Sequence, residues 1–156
     1  MEIISSSEVY DHFASEYDNW FEKHSNLYKS ELLAVKQAIP QNKKGIEIGV
    51  GTGRFAGPLN IKDGVEPSAS MAALAKQRGI HVFNGIAENL PFEDQSYDFA
   101  LMVTSVCFLN DIPKAFSEVH RILKYTGVFI IGLIDRNSEL GKSYEQQKDS
   151  NKFYKN

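Results

Sequence analysis

The chain has 156 residues, enough for one core that buries most of its apolar surface and too few for two cores of ordinary size. Hydrophobic residues make up 42% and charged residues 24%, an ordinary globular composition that argues against disordered, collagen-like and membrane classes. With 20 acids against 17 bases, a formal charge of -3 and no basic cluster longer than Lys43-Lys44, nothing resembles a polyphosphate-binding surface, and no nucleic-acid partner is expected.

The lone Cys107 leaves no disulfide framework within the chain and no CxxC or zinc-ligand set, so no metal site is expected and a reducing, cytoplasmic setting is. Residues Met1 to Ser5 lack a basic region followed by a long apolar one. No run approaches the ~18 apolar residues of a spanning helix, so no membrane partner is expected.

From the N-terminus, Ser5 and Glu8 stand in capping-box spacing, and Val9, Phe13, Tyr17 and Phe21 follow at i+4 intervals, which predicts a helix with one apolar stripe. A second helix is predicted from about Asn26 to Ile39, with Leu32, Val35 and Ile39 on one face and Pro40 as its stop. After Gln41 to Lys44 short apolar runs alternate with helical stretches, the α/β signal. Strands are predicted at Gly45 to Val50, Gly64 to Glu66, Ile80 to Phe83, Phe99 to Thr104 and Val128 to Ile134, and helices at Ser68 to Arg78 and about Ile112 to Lys124. The runs Phe99 to Val103 and Val128 to Ile131 are apolar on both faces, as in central parallel strands covered by helices on either side. The stretch from Ser138 to Asn156 is polar, without a clear period, and reads as a mobile tail.

The strand Gly45 to Ile48 runs directly into Gly49-Val50-Gly51-Thr52-Gly53-Arg54. Three glycines at alternate positions remove every Cβ where a ligand would approach the backbone, and they permit positive φ. A dinucleotide fingerprint needs Gly or Ala where the bulky Arg54 stands, and the phosphate loop with its Lys is absent. Glu47 points toward the loop from the end of the first strand, where a carboxylate suits a cationic ligand. Ligands of open α/β sheets sit beyond the carboxyl ends of the strands, where Gly49 to Gly53, Glu66, Ala87 and Thr104 all fall. An acid such as Glu66, a short distance past a glycine loop, is placed for a bidentate bond to a ribose diol.

Four motifs in register resemble the class I S-adenosylmethionine-dependent methyltransferases, and within them the small-molecule group related to ubiquinone and menaquinone biosynthesis enzymes. They are Glu47-x-Gly49-x-Gly51-x-Gly53; Val65-Glu66-Pro67-Ser68; Gly85 to Phe92 with Ser96-Tyr97-Asp98; and the strand Phe99 to Thr104 followed by Ser105 to Leu109. The resemblance covers Tyr10 to Asp135. It implies a three-layer αβα Rossmann-like fold with a mostly parallel sheet. One domain over residues 1–156 would then comprise a helical cap (1–40), a cofactor-binding core (41–135) and a polar tail (136–156). It also implies S-adenosylmethionine as cofactor, with Glu66 on the ribose hydroxyls, Ala87 and Glu88 beside the adenine, and the end of the fourth strand at Thr104 facing the methionine part. Tyr17, and with it Tyr10, resembles the N-terminal tyrosines that cover the cofactor.

Two departures from the pattern stand out. Ile86 occupies a position where many relatives carry an Asp for the adenine amino group. The sixth and seventh strands are also missing, which makes the chain read as truncated, with an unprotected fifth-strand edge that invites self-association.

The expected cofactor-binding set is thus Tyr17, Glu47, Gly49, Gly51, Gly53, Glu66, Pro67, Ala87, Glu88 and Thr104, with no catalytic residue assigned. Asp98 reads as a turn anchor, His12 and His24 as rim residues, His120 as a solvent-facing or structural residue, and Cys107 as a small core hydrophobe. The expected reaction is methyl transfer to a small-molecule acceptor. The alternatives are a non-catalytic or truncated S-adenosylmethionine-binding module and, opposed by Arg54, a nicotinamide-dependent reductase.

Overall fold

A computed structural model of the chain describes residues 6–147, with side chains described from Tyr10 onward. Five apolar segments pair side by side: β1 (Gly45–Ile48), β2 (Asp63–Val65), β3 (His81–Phe83), β4 (Tyr97–Val103) and β5 (Leu123–Gly132). Their order is β3-β2-β1-β4-β5, and every pair is parallel. The expected mostly parallel sheet is therefore wholly parallel among the described strands. From β1 the chain steps outward to β2 and β3, then crosses back to place β4 on the other side of β1. That reversal leaves a crevice at the carboxyl ends of β1 and β4.

Both faces of the sheet are covered, by α1 (Ser6–Lys23), α2 (Ser25–Ala38) and α3 (Ala69–Gln77) on one side and α4 (Ile112–Ile122) on the other. Alternation along β4 sorts its side chains between two cores. Phe99, Leu101 and Val103 pack with Phe21, Val35 and Ala75, whereas Ala100 and Met102 pack with Ala115, Val119 and Ile122. This is why β4 reads as an unbroken apolar run from Phe99 to Val103.

Helix ends follow local chemistry. Ser68 Oγ accepts from Met71 N at the start of α3, Asp111 Oδ1 accepts from Lys114 N at the start of α4, and Pro113 takes a first-turn position there. Ile39 is extended because Pro40 follows it. α1 departs from helical dihedrals at Phe13 (φ -120, ψ 20). The Ser5 and Glu8 capping box lies outside the described side chains.

Three boundaries differ from the sequence reading. β4 begins at Tyr97 because that side chain is core and its hydroxyl donates to Asp63 Oδ2 at 3.0 Å. β5 begins at Leu123, opposite Tyr97, but the ladder resumes only at Phe99 with Val128, so Lys124 to Gly127 bulge outward and carry the polar residues that hid the strand's start. The polar tail contains α5 (Glu139–Gln147), begun by Asp135 and Ser138, whose side chains accept from Asn137 N and Gly141 N. The expectation of an aperiodic tail is thus corrected over 139–147, and 148–156 lie outside the described residues. β5 pairs only with β4 among the described strands.

Candidate functional site

At the carboxyl ends of the strands a cavity of about 450 Å³ opens, walled by the glycine loop, the ends of β2 and β4, the segment around Ala87, and α1. That size suits a cofactor-sized ligand.

Gly49, Gly51 and Gly53 all have positive φ, of 72, 54 and 83 degrees. Their surroundings differ. A Cβ on Gly49 would meet Ser105 Oγ at 2.8 Å and one on Gly53 would meet Ile80 Cδ1 at 2.5 Å, whereas on Gly51 the nearest atom would be Met71 Cε at 3.9 Å. Gly51 therefore leaves open space at the cavity. Gly53 lets the loop close onto α3 and is not among the cavity-lining residues.

Glu66 leaves the end of β2 and is 8% exposed. Its Oε2 accepts from Gly51 N at 2.9 Å and its Oε1 from Ser68 N at 3.0 Å. Burial raises its pKa and these two N–H groups oppose the rise. Each oxygen keeps a further lone pair for a ligand hydroxyl. Pro67, next in the chain, also lines the cavity.

Glu47 on β1 is 2% exposed, and its Oε2 is buried without a hydrogen-bond partner. Burial pushes its pKa up to about 8, with the Ala56 N–H opposing and the charge of Glu66 adding to the rise. Buried polar atoms are rarely left unpaired, and Glu47 is one of the residues that line the cavity.

Ala87 and Glu88 line the opposite wall. Glu88 Oε1 accepts from Asn110 N at 2.8 Å and Asp111 N at 3.3 Å, so this carboxylate also ties its segment to the β4–α4 connection. Thr104, which also lines the cavity, has φ 50, an unusual conformation for a β-branched residue that costs roughly 1–3 kcal/mol. Its N–H donates to Gly132 O at 2.9 Å.

Tyr10, Tyr17 and Phe21 of α1 line the remaining wall. Tyr10 packs edge to face on Tyr17 at 5.5 Å between ring centroids, and on Phe108 of the β4–α4 connection at 5.4 Å. Asp18, beside Tyr17, accepts from Arg54 Nε and Nη2 at 2.8 and 2.7 Å and from Arg78 Nη2 at 2.9 Å, while Arg78 Nη1 donates to Thr52 O at 2.8 Å. Burial works to raise the Asp18 pKa, and hydrogen bonds led by that of Arg54 overcome it and hold the carboxyl at about 2.

The expected residues thus share one cavity, Gly53 excepted. Ser105, Phe108 and Asn110 join it from the β4–α4 connection. Ser105 and Phe108 belong to the fourth motif without being in the expected binding set, and Asn110 lies outside both; Asp111-Ile112-Pro113, a helix-start signal, could have flagged it. Cys107 is exposed on the cavity wall rather than in the core, its Sγ–H donates to Thr104 O at 3.5 Å, and partial desolvation of the thiol raises its pKa. His12 and His24 are exposed and outside the lining, and His120 is exposed. Asp98 sits at the other end of the sheet, accepting from Lys44 N at 2.9 Å and Lys124 Nζ at 3.0 Å. No group of three metal-ligating side chains occurs among the described residues.

A parallel sheet covered on both faces, with a glycine loop and an acid at adjacent strand ends, defines a Rossmann-like cofactor-binding domain. Residues 46–131 match the family model described as a methyltransferase domain. A solved structure from Thermotoga maritima, described as a SAM-dependent methyltransferase and possible histamine N-methyltransferase, is 53% identical, with a TM-score of 0.91 over 95% of this chain and 71% of that one. An uncharacterized protein of Methanocaldococcus jannaschii is 50% identical over 147 residues, 94% of this chain and 71% of its own length. Uncharacterized proteins of Mycobacterium tuberculosis are 32% identical over 134 residues, and the chain spans only 47% of their length. The chain belongs to the S-adenosylmethionine-dependent methyltransferases, and its cofactor is S-adenosylmethionine.

Proposed function

We propose that the chain transfers the methyl group of S-adenosylmethionine to a small-molecule acceptor, and that the cavity described above holds the cofactor. The observation that carries this reading is the buried, unpartnered Glu47 Oε2 beside a loop whose Gly51 leaves room for a ligand. A carboxylate there matches the ammonium of the methionine part, and the Cβ-free face of Gly51 admits a ligand against the backbone.

In this reading Glu66 accepts hydrogen bonds from the ribose hydroxyls while keeping those from Gly51 and Ser68. Ala87 and Glu88 border the adenine, whose recognition falls to backbone groups, Glu88 or water, since Ile86 offers no acid. Thr104 and Pro67 shape the walls, and Tyr17 with Tyr10 covers the ligand. The bound cofactor supplies a methyl group already activated by its sulfonium. The protein's work is then to align the acceptor and exclude water, and proximity alone accounts for much of such rate enhancements. No side chain is assigned as general base.

Tyr10 and Phe108, which both line the cavity, touch each other between α1 and the β4–α4 connection, and this contact supports a small acceptor over a macromolecule. The Thermotoga relative makes histamine and other small amines the first acceptors to test. The side of β5 that has no partner among the described strands supports self-association through that strand.

The test is transfer of labelled methyl from S-adenosylmethionine to a panel of small amines, phenols, thiols and carbon acids. Turnover of one class supports the proposal. Cofactor binding with no acceptor methylated favours the non-catalytic binding module.

A further inference from the structure

Two carboxylates of α1, Asp11 and Asp18, stand on either side of its break at Phe13, and their hydrogen bonds turn both toward the loops of the cavity. Each reaches one of the two loops that build the cavity. Asp11 Oδ1 accepts from Ser68 Oγ at 2.6 Å and Ser70 N at 3.1 Å, directly after Glu66 and Pro67. Asp18 takes the bidentate fork of Arg54, the residue that closes the glycine loop, and the second guanidinium of Arg78, which also holds Thr52 O. Tyr10 and Tyr17 each precede one of these carboxylates, share the same seven-residue spacing and line the cavity.

The chemistry of this contact is unusual for simple helix packing. The Arg54 and Asp18 side chains are only 13% and 14% exposed, yet two guanidinium groups converge there on one carboxylate. Apolar side chains of similar volume would hold a helix to a sheet at least as well, because desolvating charges is costly. What a planar, bidentate ion pair adds is a fixed geometry. Between the two clasps the helix leaves regular dihedrals at Phe13, so its two halves are set separately, the first by Asp11 and the second by Asp18 with Glu22, which also accepts from Arg54 Nη1 at 2.5 Å.

We infer that Asp11 and Asp18 are positioning residues that couple the seating of α1 to the conformation of the ribose-side and glycine loops, so that cofactor and cap helix stabilise one another. The cap is then part of the cofactor site by linkage, since whatever holds α1 down also holds the Gly51 to Gly53 backbone and the tyrosines in place. A ligand that contacts Tyr17 and the loops together therefore strengthens both clasps.

The inference rests on the cavity being the cofactor site, and the experiment separates the two. Amide hydrogen exchange is followed in the wild type, Asp18→Asn, Asp11→Asn and Asp18→Glu, with and without S-adenosylhomocysteine, and affinity is measured by calorimetry. Without ligand, Asp18→Asn is expected to speed exchange both in α1 and at residues 51–54. With ligand, the wild type gains protection in α1, whereas Asp18→Asn binds about tenfold or more weakly and loses that gain. Asp18→Glu, which keeps the charge, recovers most of the affinity. Asp98→Asn, which removes an ion pair at the far end of the sheet, serves as a control that alters neither readout. Wild-type affinity in Asp18→Asn, or weakened affinity with unchanged α1 exchange, would overturn the coupling. Failure of the wild type to bind S-adenosylhomocysteine would instead count against the cofactor reading. The ligand-free arm would still decide the coupling: unchanged exchange at 51–54 in Asp18→Asn refutes it.

Discussion

Replacing Glu47 by Gln is expected to make the cofactor-free protein more stable at alkaline pH and to flatten the dependence of its stability on pH. Glu47 is buried with one oxygen unpartnered, and its pKa is raised from 4.5 to about 8. A group whose folded pKa lies above its unfolded value contributes stability that is full below the unfolded value and lost as pH rises through the folded one. The window runs from 4.5 to about 8. At roughly 1.4 kcal/mol for each pH unit, the loss totals about 5 kcal/mol at most. For a domain of this size that is a fall of about 10–20 °C in midpoint at ~2–4 °C per kcal/mol. The assay is thermal or urea unfolding of both proteins at pH 5, 7 and 9 without ligand. Glu31 and Glu66, also raised by burial, remain in both proteins, so the difference isolates Glu47. S-adenosylhomocysteine should narrow the gap at pH 9, since its ammonium gives the carboxylate a partner. Parallel stability profiles for the two proteins would refute the account of Glu47 as a carboxyl held neutral by burial.

Glu66→Ala should weaken S-adenosylhomocysteine binding about tenfold to hundredfold in calorimetry, from the loss of charge-assisted bonds of roughly 1.5–3 kcal/mol, and unchanged affinity would remove the ribose assignment. Gly51→Val should abolish binding, because its branched side chain would fill the open space a ligand needs, and should lower the unfolding midpoint as well, because φ is 54 there. Gly53→Ala should act through the fold instead, lowering the unfolding midpoint because its Cβ would sit 2.5 Å from Ile80 Cδ1 and 3.2 Å from Ala75 Cα. Light scattering should show self-association that Val128→Lys reduces, since Val128 is 43% exposed on β5 and a charge protects an open strand edge. A wild-type chain that stays monodisperse at high concentration would argue against pairing through β5.

What the sequence disclosed follows from how local its physics is. The loop at Gly49 to Gly53 announces itself because three left-handed positions, alternate in the chain, demand glycine, and β4 because burial on both faces leaves no polar residue from Phe99 to Val103. The starts of α3 and α4 were legible within a residue, at Ser68 and Ile112, because the caps at Ser68 and Asp111 that set them are local in sequence. Harder to read were features made by distant residues meeting. Gly53 carries the same signal as Gly51, yet one faces Ile80 and the other open space, and only the packing of α3 decides which. Asp11 and Asp18 look like the solvated face of an amphipathic helix until the arginines at positions 54 and 78 and the α3 N-terminus are brought beneath them. The start of β5 was hidden because a bulge inserts Lys124 to Gly127 between two paired stretches. α5 was hidden because its short polar sequence has little apolar period, and Gly141, a residue that ordinarily weakens a helix, is buried where a Cβ would lie 2.2 Å from Asp135 O.

The central claim is that the cavity between the glycine loop, Glu66 and α1 is an S-adenosylmethionine site. Its most direct test is calorimetric titration of the wild-type chain with S-adenosylhomocysteine, with NADH as the competing nucleotide. Saturable one-to-one binding of S-adenosylhomocysteine, lost in Gly51→Val, and no heat of binding from NADH is the expected result. Equal or tighter binding of NADH, or full S-adenosylhomocysteine affinity in Gly51→Val, would contradict it.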